Sequence, residues 1–188
     1  HCNDFVDFFS ENLKIEESLL REAWDYSNKV LDLSLEQNIK VISYFDPHYP
    51  STLKKSTNPP ILVFLKGNQE LFGNNYKKVA IVGSRNATNR GLKVSFGVGR
   101  YLAKQDYVVV SGLAIGCDTE AHKGMITSSG KGIAVLAQGL QTISPKQNIK
   151  LADEIIGCSG ALISEYDTGS SLYNFQLIER NRIISSLS

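Results

Sequence analysis

The stretch VAIVGSRNAT, residues 79–88, is a run of small apolar residues that stops on a glycine, a hydroxyl and a guanidinium. Val79, Ala80, Ile81 and Val82 follow one another without a polar break, which predicts a strand covered on both faces, since a half-exposed strand would alternate. Gly91 comes next, and Leu92, Phe96, Gly99 and Ala103 then recur at spacings that share one helical face. Strand, glycine turn and helix form the unit from which parallel sheets are built, because parallel neighbours need a crossover element.

The unit recurs downstream. KVAIVG (78–83), YVVVSG (107–112), GIAVLAQG (132–139) and GALISE (160–165) read as four such strands, with DTEAHKGMI (118–126) and KQNIKLADEII (146–156) in the later gaps. This alternation predicts an α/β protein with a Rossmann-like, doubly wound, mainly parallel sheet. Upstream, KVISY (40–44) and ILVFLKG (61–67) read as further strands, the second set off by Pro59-Pro60. NFQLIERNRIISSLS, at the end, has a helical pattern. Residues 4 to about 37 read as helices, with Leu13, Leu20, Trp24, Leu31 and Leu35 at spacings of three, four or seven. The expected division is therefore a small N-terminal helical segment, 1–37, and a Rossmann-like domain, 38–188.

The 188 residues are 42% hydrophobic and 21% charged, as in an ordinary globular chain. No run of about 18 apolar residues exists, so no membrane-spanning helix is expected. A net charge of +1 gives no overall attraction for a polyanion, so an anion site has to be a local cluster. Cys2, Cys117 and Cys158 have no metal-type spacing, and their odd number argues against a disulfide framework. A reducing cytoplasm is the expected location, with no metal or cofactor. The chain begins at His1 rather than Met, which suggests that residues precede it.

Ligands of open α/β sheets bind where strands run out into turns. All four strands end there in small or polar residues: Gly83-Ser84-Arg85, Ser111-Gly112, Gln138-Gly139 and Ser164-Glu165. Exposed amides at helix starts favour phosphate, and Arg85 adds a planar fork of donors. Glycines also serve plain tight turns, so it is the convergence of four such ends, rather than any one, that points to a phosphate-bearing ligand. The pattern is neither G-x-G-x-x-G nor G-x-x-x-x-G-K-[ST], which argues against a dinucleotide site or a P-loop ATPase.

Arg180 and Arg182 flank Asn181. On a helix, residues two apart diverge by about 200°, so the two cannot point the same way. One can face the ligand edge while the other pairs with Glu165 or another acid, although an isolated R-x-R more often supplies two solvated surface arginines. Asp118 and His122, four apart at a helix start, read as a first-turn acid and a packing residue rather than an acid–base pair. Cys117 reads as a packing residue. Lys146, after Pro145, is within reach of a phosphate at the same edge.

Together these motifs resemble the DprA/Smf family of bacterial DNA-processing proteins. YPSTL with NPPILVFLKG, VAIVGSRNAT, VVSGLAIGCDTEAH, IAVLAQGL with PKQNIKL, GALISEY and RNRIISSLS follow in the family's order from about residue 38 onward. The resemblance implies sequence-independent binding of single-stranded DNA and its delivery to the recombinase RecA during natural transformation, without catalysis. By position, Gly83, Ser84 and Arg85 would hold phosphate, with Arg85 the main contact. Ser111, Gly112, Gln138 and Gly139 would line the groove, and Lys146, Arg180 and Arg182 would add basic contacts. The N-terminal helices would belong to a partial SAM-like segment. The family continues past RNRIISSLS into elements that carry homodimer and partner contacts, so the chain is expected to be cut short there. Leu177 and Ile178 replace the family's Phe-Pro, Ser144 its tyrosine and Asn174 its lysine, which implies weaker DNA binding.

The rival reading is an enzyme, a hydrolase of nucleoside monophosphates on the same scaffold, resembling the phosphoribohydrolases. Its P-G-G-x-G-T-x-x-E motif is absent from residues 1–188, and Glu165 would serve as the acid only by its place on the sheet edge.

Overall fold

The computed structural model describes residues 2–188. Two helices come first, α1 (Cys2–Leu13) and α2 (Glu17–Glu36), then β1 (Lys40–Ser43), a single turn α3 (Ser51–Lys54) and β2 (Leu62–Gly67). The repeating part follows as β3 (Lys78–Ala80), α4 (Asn89–Lys104), β4 (Val108–Ser111), α5 (Cys117–Ile126), β5 (Gly132–Val135), α6 (Ile149–Gly157) and β6 (Ala161–Ser164). Two short helices, α7 (Asn174–Glu179) and α8 (Asn181–Leu187), complete it.

The six strands form one sheet in the order β1-β2-β6-β5-β4-β3. β3 to β6 are mutually parallel, while β1 and β2 run antiparallel to their neighbours. Register is set by side-chain alternation. Val108, Val110, Ile133, Val135 and Ile163 enter one core cluster, and Val109, Ala134 and Leu162 enter the other. Every residue of β4, β5 and β6 is buried, as the unbroken apolar runs predict.

Both faces are covered, but by different means. Ala103 of α4, Ala121 and Met125 of α5, and Ala152 and Ile155 of α6 all pack on one face. The four parallel strands lie in sequence order, so successive crossovers stay on that face. Leu53 of α3, Leu71, Phe72 and Ile183, Ile184 and Leu187 of α8 cover the other. The α/β class and mainly parallel sheet agree with the sequence reading; the second layer is supplied by elements on either side of the βα run.

Helix α4 crosses α5 with backbone nearly touching backbone. A Cβ at Gly99 would collide with the Ala121 carbonyl, and one at Gly124 with the Phe96 carbonyl. Only glycine admits this approach.

The N-terminal helices depart from the expected stripe. Leu20 is buried, but Leu13, Leu31 and Leu35 are 59%, 46% and 74% exposed. The face of α2 that docks instead carries Val30 and Ser34, and the Ser34 hydroxyl bonds Thr168 Oγ1 at 2.7 Å. Tyr26 donates to the Asp167 carboxylate. Spacing alone could not choose between two plausible apolar stripes.

Candidate nucleic-acid interface

The carboxyl ends of β3, β4 and β5 surround a cleft of about 120 Å³ lined by Arg85, Gly112, Ile115, Gln138, Pro145 and Arg180, among others. Arg85 comes from the β3–α4 connection. Thr88 ends that connection by capping α4, its Oγ1 accepting from Gly91 N at 3.2 Å. Ser84 Oγ accepts from Asn86 N at 3.1 Å and tightens the turn. Gly83, Ser84 and Arg85 are all exposed. Arg85 is in none of the ion pairs among the described residues, and it stands exposed at the rim.

Arg180 is its opposite. It is only 4% exposed, and its Nη1 donates to Gly112 O at 2.6 Å and also to Val135 O. A side chain at Gly112 would overlap the guanidinium, so the glycine here makes room for the arginine. Burial pulls Arg180 below the usual guanidinium range; Asp118 opposes that shift and Arg85 adds to it. The group stays charged, as guanidinium does in proteins. Asp118 is buried as well, and its Oδ2 accepts from Gly112 N at 3.1 Å and Ala114 N at 3.4 Å. Burial raises its pKa, against the amides of Ala114 and Gly112 and the charge of Arg180.

Arg182 points elsewhere, into an ion pair with Glu165 at the end of β6. Burial raises the Glu165 pKa, and the guanidinium pulls it back. Of the two arginines one thus lies under the cleft and the other braces its flank. His122 is fully buried with neither ring nitrogen bonded, and burial lowers its pKa to about 4. It makes no pair with Asp118.

The remaining residues singled out from sequence divide between lining and framework. Gln138 is 2% exposed and lines the cleft, with its amide Nε2 donating to Thr142 O at 3.3 Å. Gly139 is buried against the 167–170 turn, its N–H donating to Ser170 O at 3.2 Å. Ser111 has no exposed surface; its hydroxyl donates to Ile81 O at 2.6 Å and ties β4 to β3. Its side chain is framework, a correction to the expectation that it lines the groove. Lys146 is exposed but borders a separate recess, with Lys66 and Asp153, across the 143–146 segment.

Residues 40–188 match the family described as DNA recombination-mediator protein A. The chain belongs to this family. Among curated relatives, DNA processing protein DprA of Streptococcus pneumoniae is 40% identical over 151 residues, which is 80% of this chain and 52% of that protein. The Bacillus subtilis protein of the same name is 36% identical over 160 residues, covering 85% and 53%. The chain thus spans about half the length of these relatives. An X-ray structure of the Streptococcus pneumoniae protein superposes with a TM-score of 0.76 at 31% identity, covering 99% of this chain and 69% of that one. A Helicobacter pylori structure, described as giving insight into a single-stranded DNA binding mode, superposes at 0.70 with 27% identity, covering 80% and 66%.

Within this recombination-mediator fold, several residues that hold the site carried little signal in sequence. Asn148 Nδ2 donates to Leu113 O and to Thr119 Oγ1, both at 2.8 Å, and so ties the start of α6 to the β4–α5 loop and the first turn of α5. Ser95 of α4 donates to Cys117 O at 2.6 Å. The overall charge also concealed a division that counting by segment reveals. Residues 2–36 carry nine acids and three bases, net −6, whereas 37–188 carry seventeen bases and ten acids, net +7.

Proposed function

We propose that this chain binds single-stranded DNA without sequence preference along the carboxyl edge of β3 to β6. The observation that carries the reading is an exposed Arg85 over a cleft whose floor is a second, buried guanidinium, Arg180. Gly83, Ser84, Gly112 and Gln138 frame the phosphate path, and Gly139 and Ser111 hold its turns. Lys146 meets the strand from the adjoining recess. Arg182 acts through Glu165. Phosphate contacts supply affinity but no base information, so sequence preference should be slight. Bases have a platform in Tyr173, 60% exposed and stacked on Phe175 with ring centroids 6.1 Å apart. Tyr166 is the weaker platform, since its hydroxyl donates to Glu179 Oε2 at 3.1 Å.

We read the role as non-catalytic, cytoplasmic delivery of DNA to RecA, with the homodimer and partner contacts carried by the elements that the family resemblance puts past RNRIISSLS. Among the described residues no helix is long and apolar enough to cross a membrane, and no cluster of His, Cys, Asp and Glu is suited to a metal. Glu165, the one acid that the hydrolase reading would use, is engaged by Arg182. Incubation with AMP should release no adenine.

The deciding experiment is a fluorescence-anisotropy titration of an oligothymidylate. Arg85→Glu should weaken binding about 30-fold, or ~2 kcal/mol. The same change at Arg21, already paired with Glu17 on α2, should leave it within about twofold. Equal losses from both would overturn the site. Co-sedimentation of RecA with the protein–DNA complex tests the delivery step.

A further inference from the structure

The outer face of α4 is unlike that of any other helix in the chain. Asn89–Lys104 contains Arg90, Lys93, Arg100 and Lys104 and no acid. All four cations are exposed, and none makes an ion pair among the described residues. Arg90, Lys93, Val94, Gly97, Tyr101 and Lys104 are linked by spacings of three, four or seven on one face, and Arg100, seven from Lys93 and four from Lys104, flanks it. On it Val94 and Tyr101 are 57% and 63% exposed, and at Gly97 nothing lies within 4 Å of where a Cβ would sit. The inner face, by contrast, is buried through Ser95, Gly99 and Ala103.

This face begins where the candidate site ends. Only Asn86, Ala87, Thr88 and Asn89 separate Arg85 from Arg90. A recess of about 520 Å³ on the far side of Arg85 runs under the inner face of α4, with Leu92, Thr119, Glu120 and Glu154 in its wall, so continuity between the rim and the outer face rests on the short 86–89 connection alone. From Arg90 to Lys104 the helix rises about 21 Å, room for about six phosphates at the ~3.4 Å spacing of a stacked strand.

We propose that the outer face of α4 is a second track for the same single strand, running from Arg85 toward Lys104. Phosphates lie along the four cations, and bases rest on Tyr101 and the Val94 side chain. The chemistry favours a polyanion with flat apolar faces: four cations with no acid among them match a phosphate chain, and an exposed tyrosine offers a stacking surface. The track rests on the reading of Arg85 as a DNA contact and extends the footprint beyond the cleft.

The test uses the full chain and oligothymidylates of about six and about fifteen nucleotides, the short one, about 20 Å at that spacing, being too short to reach from Arg85 to Lys104. Arg100→Glu/Lys104→Glu, at the end of α4 away from Arg85, should weaken the long oligomer five- to tenfold and the short one less than twofold. The salt slope for the long oligomer should become shallower by about 0.7 for each phosphate that the variant no longer neutralises. Equal effects on both lengths, or none, overturn the track, including the case in which the face serves a protein partner instead. Arg85→Glu distinguishes the two claims, since it should weaken both lengths. Loss with Arg85→Glu and none with the α4 pair removes the track alone, whereas no loss with Arg85→Glu removes the underlying reading.

Discussion

Arg85 and Arg180 line one cleft and share a side chain, yet they live in opposite surroundings. Arg85 is exposed at the rim of a capped turn. Arg180 is buried, with Nη1 donating to the carbonyls of Gly112 and Val135, its Nε without a hydrogen-bond partner among the described residues, and a buried carboxylate, Asp118, nearby. A cation with free donors can take a ligand. One buried beneath the cleft and bonded through Nη1 to two backbone carbonyls holds the frame and contributes its field. What a basic residue does at a sheet edge is thus decided by what its donors already hold.

The sharpest way to break this contrast is to remove the buried partner. Arg180→Met should destabilise the fold by about 3–5 kcal/mol, because it strands two carbonyls and the Asp118 carboxylate; thermal unfolding measures it, and an unchanged Tm would put Arg180 with Arg85. A third basic group, His122, extends the comparison, being buried with no partner at all. Its folded pKa, about 4, lies below the ordinary 6.5. Its titration therefore costs nothing above pH ~6.5, and stability falls as pH drops toward 4, by at most about 3 kcal/mol. Denaturant titrations between these pH values should show that decline, and His122→Leu should flatten it.

Arg85→Glu comes next, with ~2 kcal/mol lost in DNA binding and a stability change within about 0.5 kcal/mol. A large drop in Tm would mean that Arg85, too, is framework. The smallest effect belongs to Arg182→Gln. Breaking its pair with Glu165 should cost about 1 kcal/mol of stability. The salt slope of DNA binding should stay unchanged, since every phosphate keeps its cation.

Much of this was legible beforehand. The apolar runs and glycine turns located four parallel strands, and the two arginines part as the spacing argument allowed, although Arg180 sits at the break between α7 and α8 rather than inside one helix. Their destinations were not legible, because the acceptors at Gly112 and Val135 are 68 and 45 residues away from Arg180 in sequence. Ser111 ends a strand as a ligand-binding serine would, but strand pairing places the Ile81 carbonyl beside its hydroxyl. Asn148 has no periodicity to announce it, since its two acceptors lie on the loop after β4 and in the first turn of α5. The docked stripe of α2 was hidden for the same reason: the helix pattern is clear in sequence, and its partner is not.

The glycine crossing of α4 and α5 makes α4 a lever with its fulcrum at Gly99 and Gly124. Even a methyl group there would tip the helix outward and carry the turn holding Arg85 with it. Alleles at these two inconspicuous positions, neither of which lines the cleft, should therefore mimic a lesion in the grip itself.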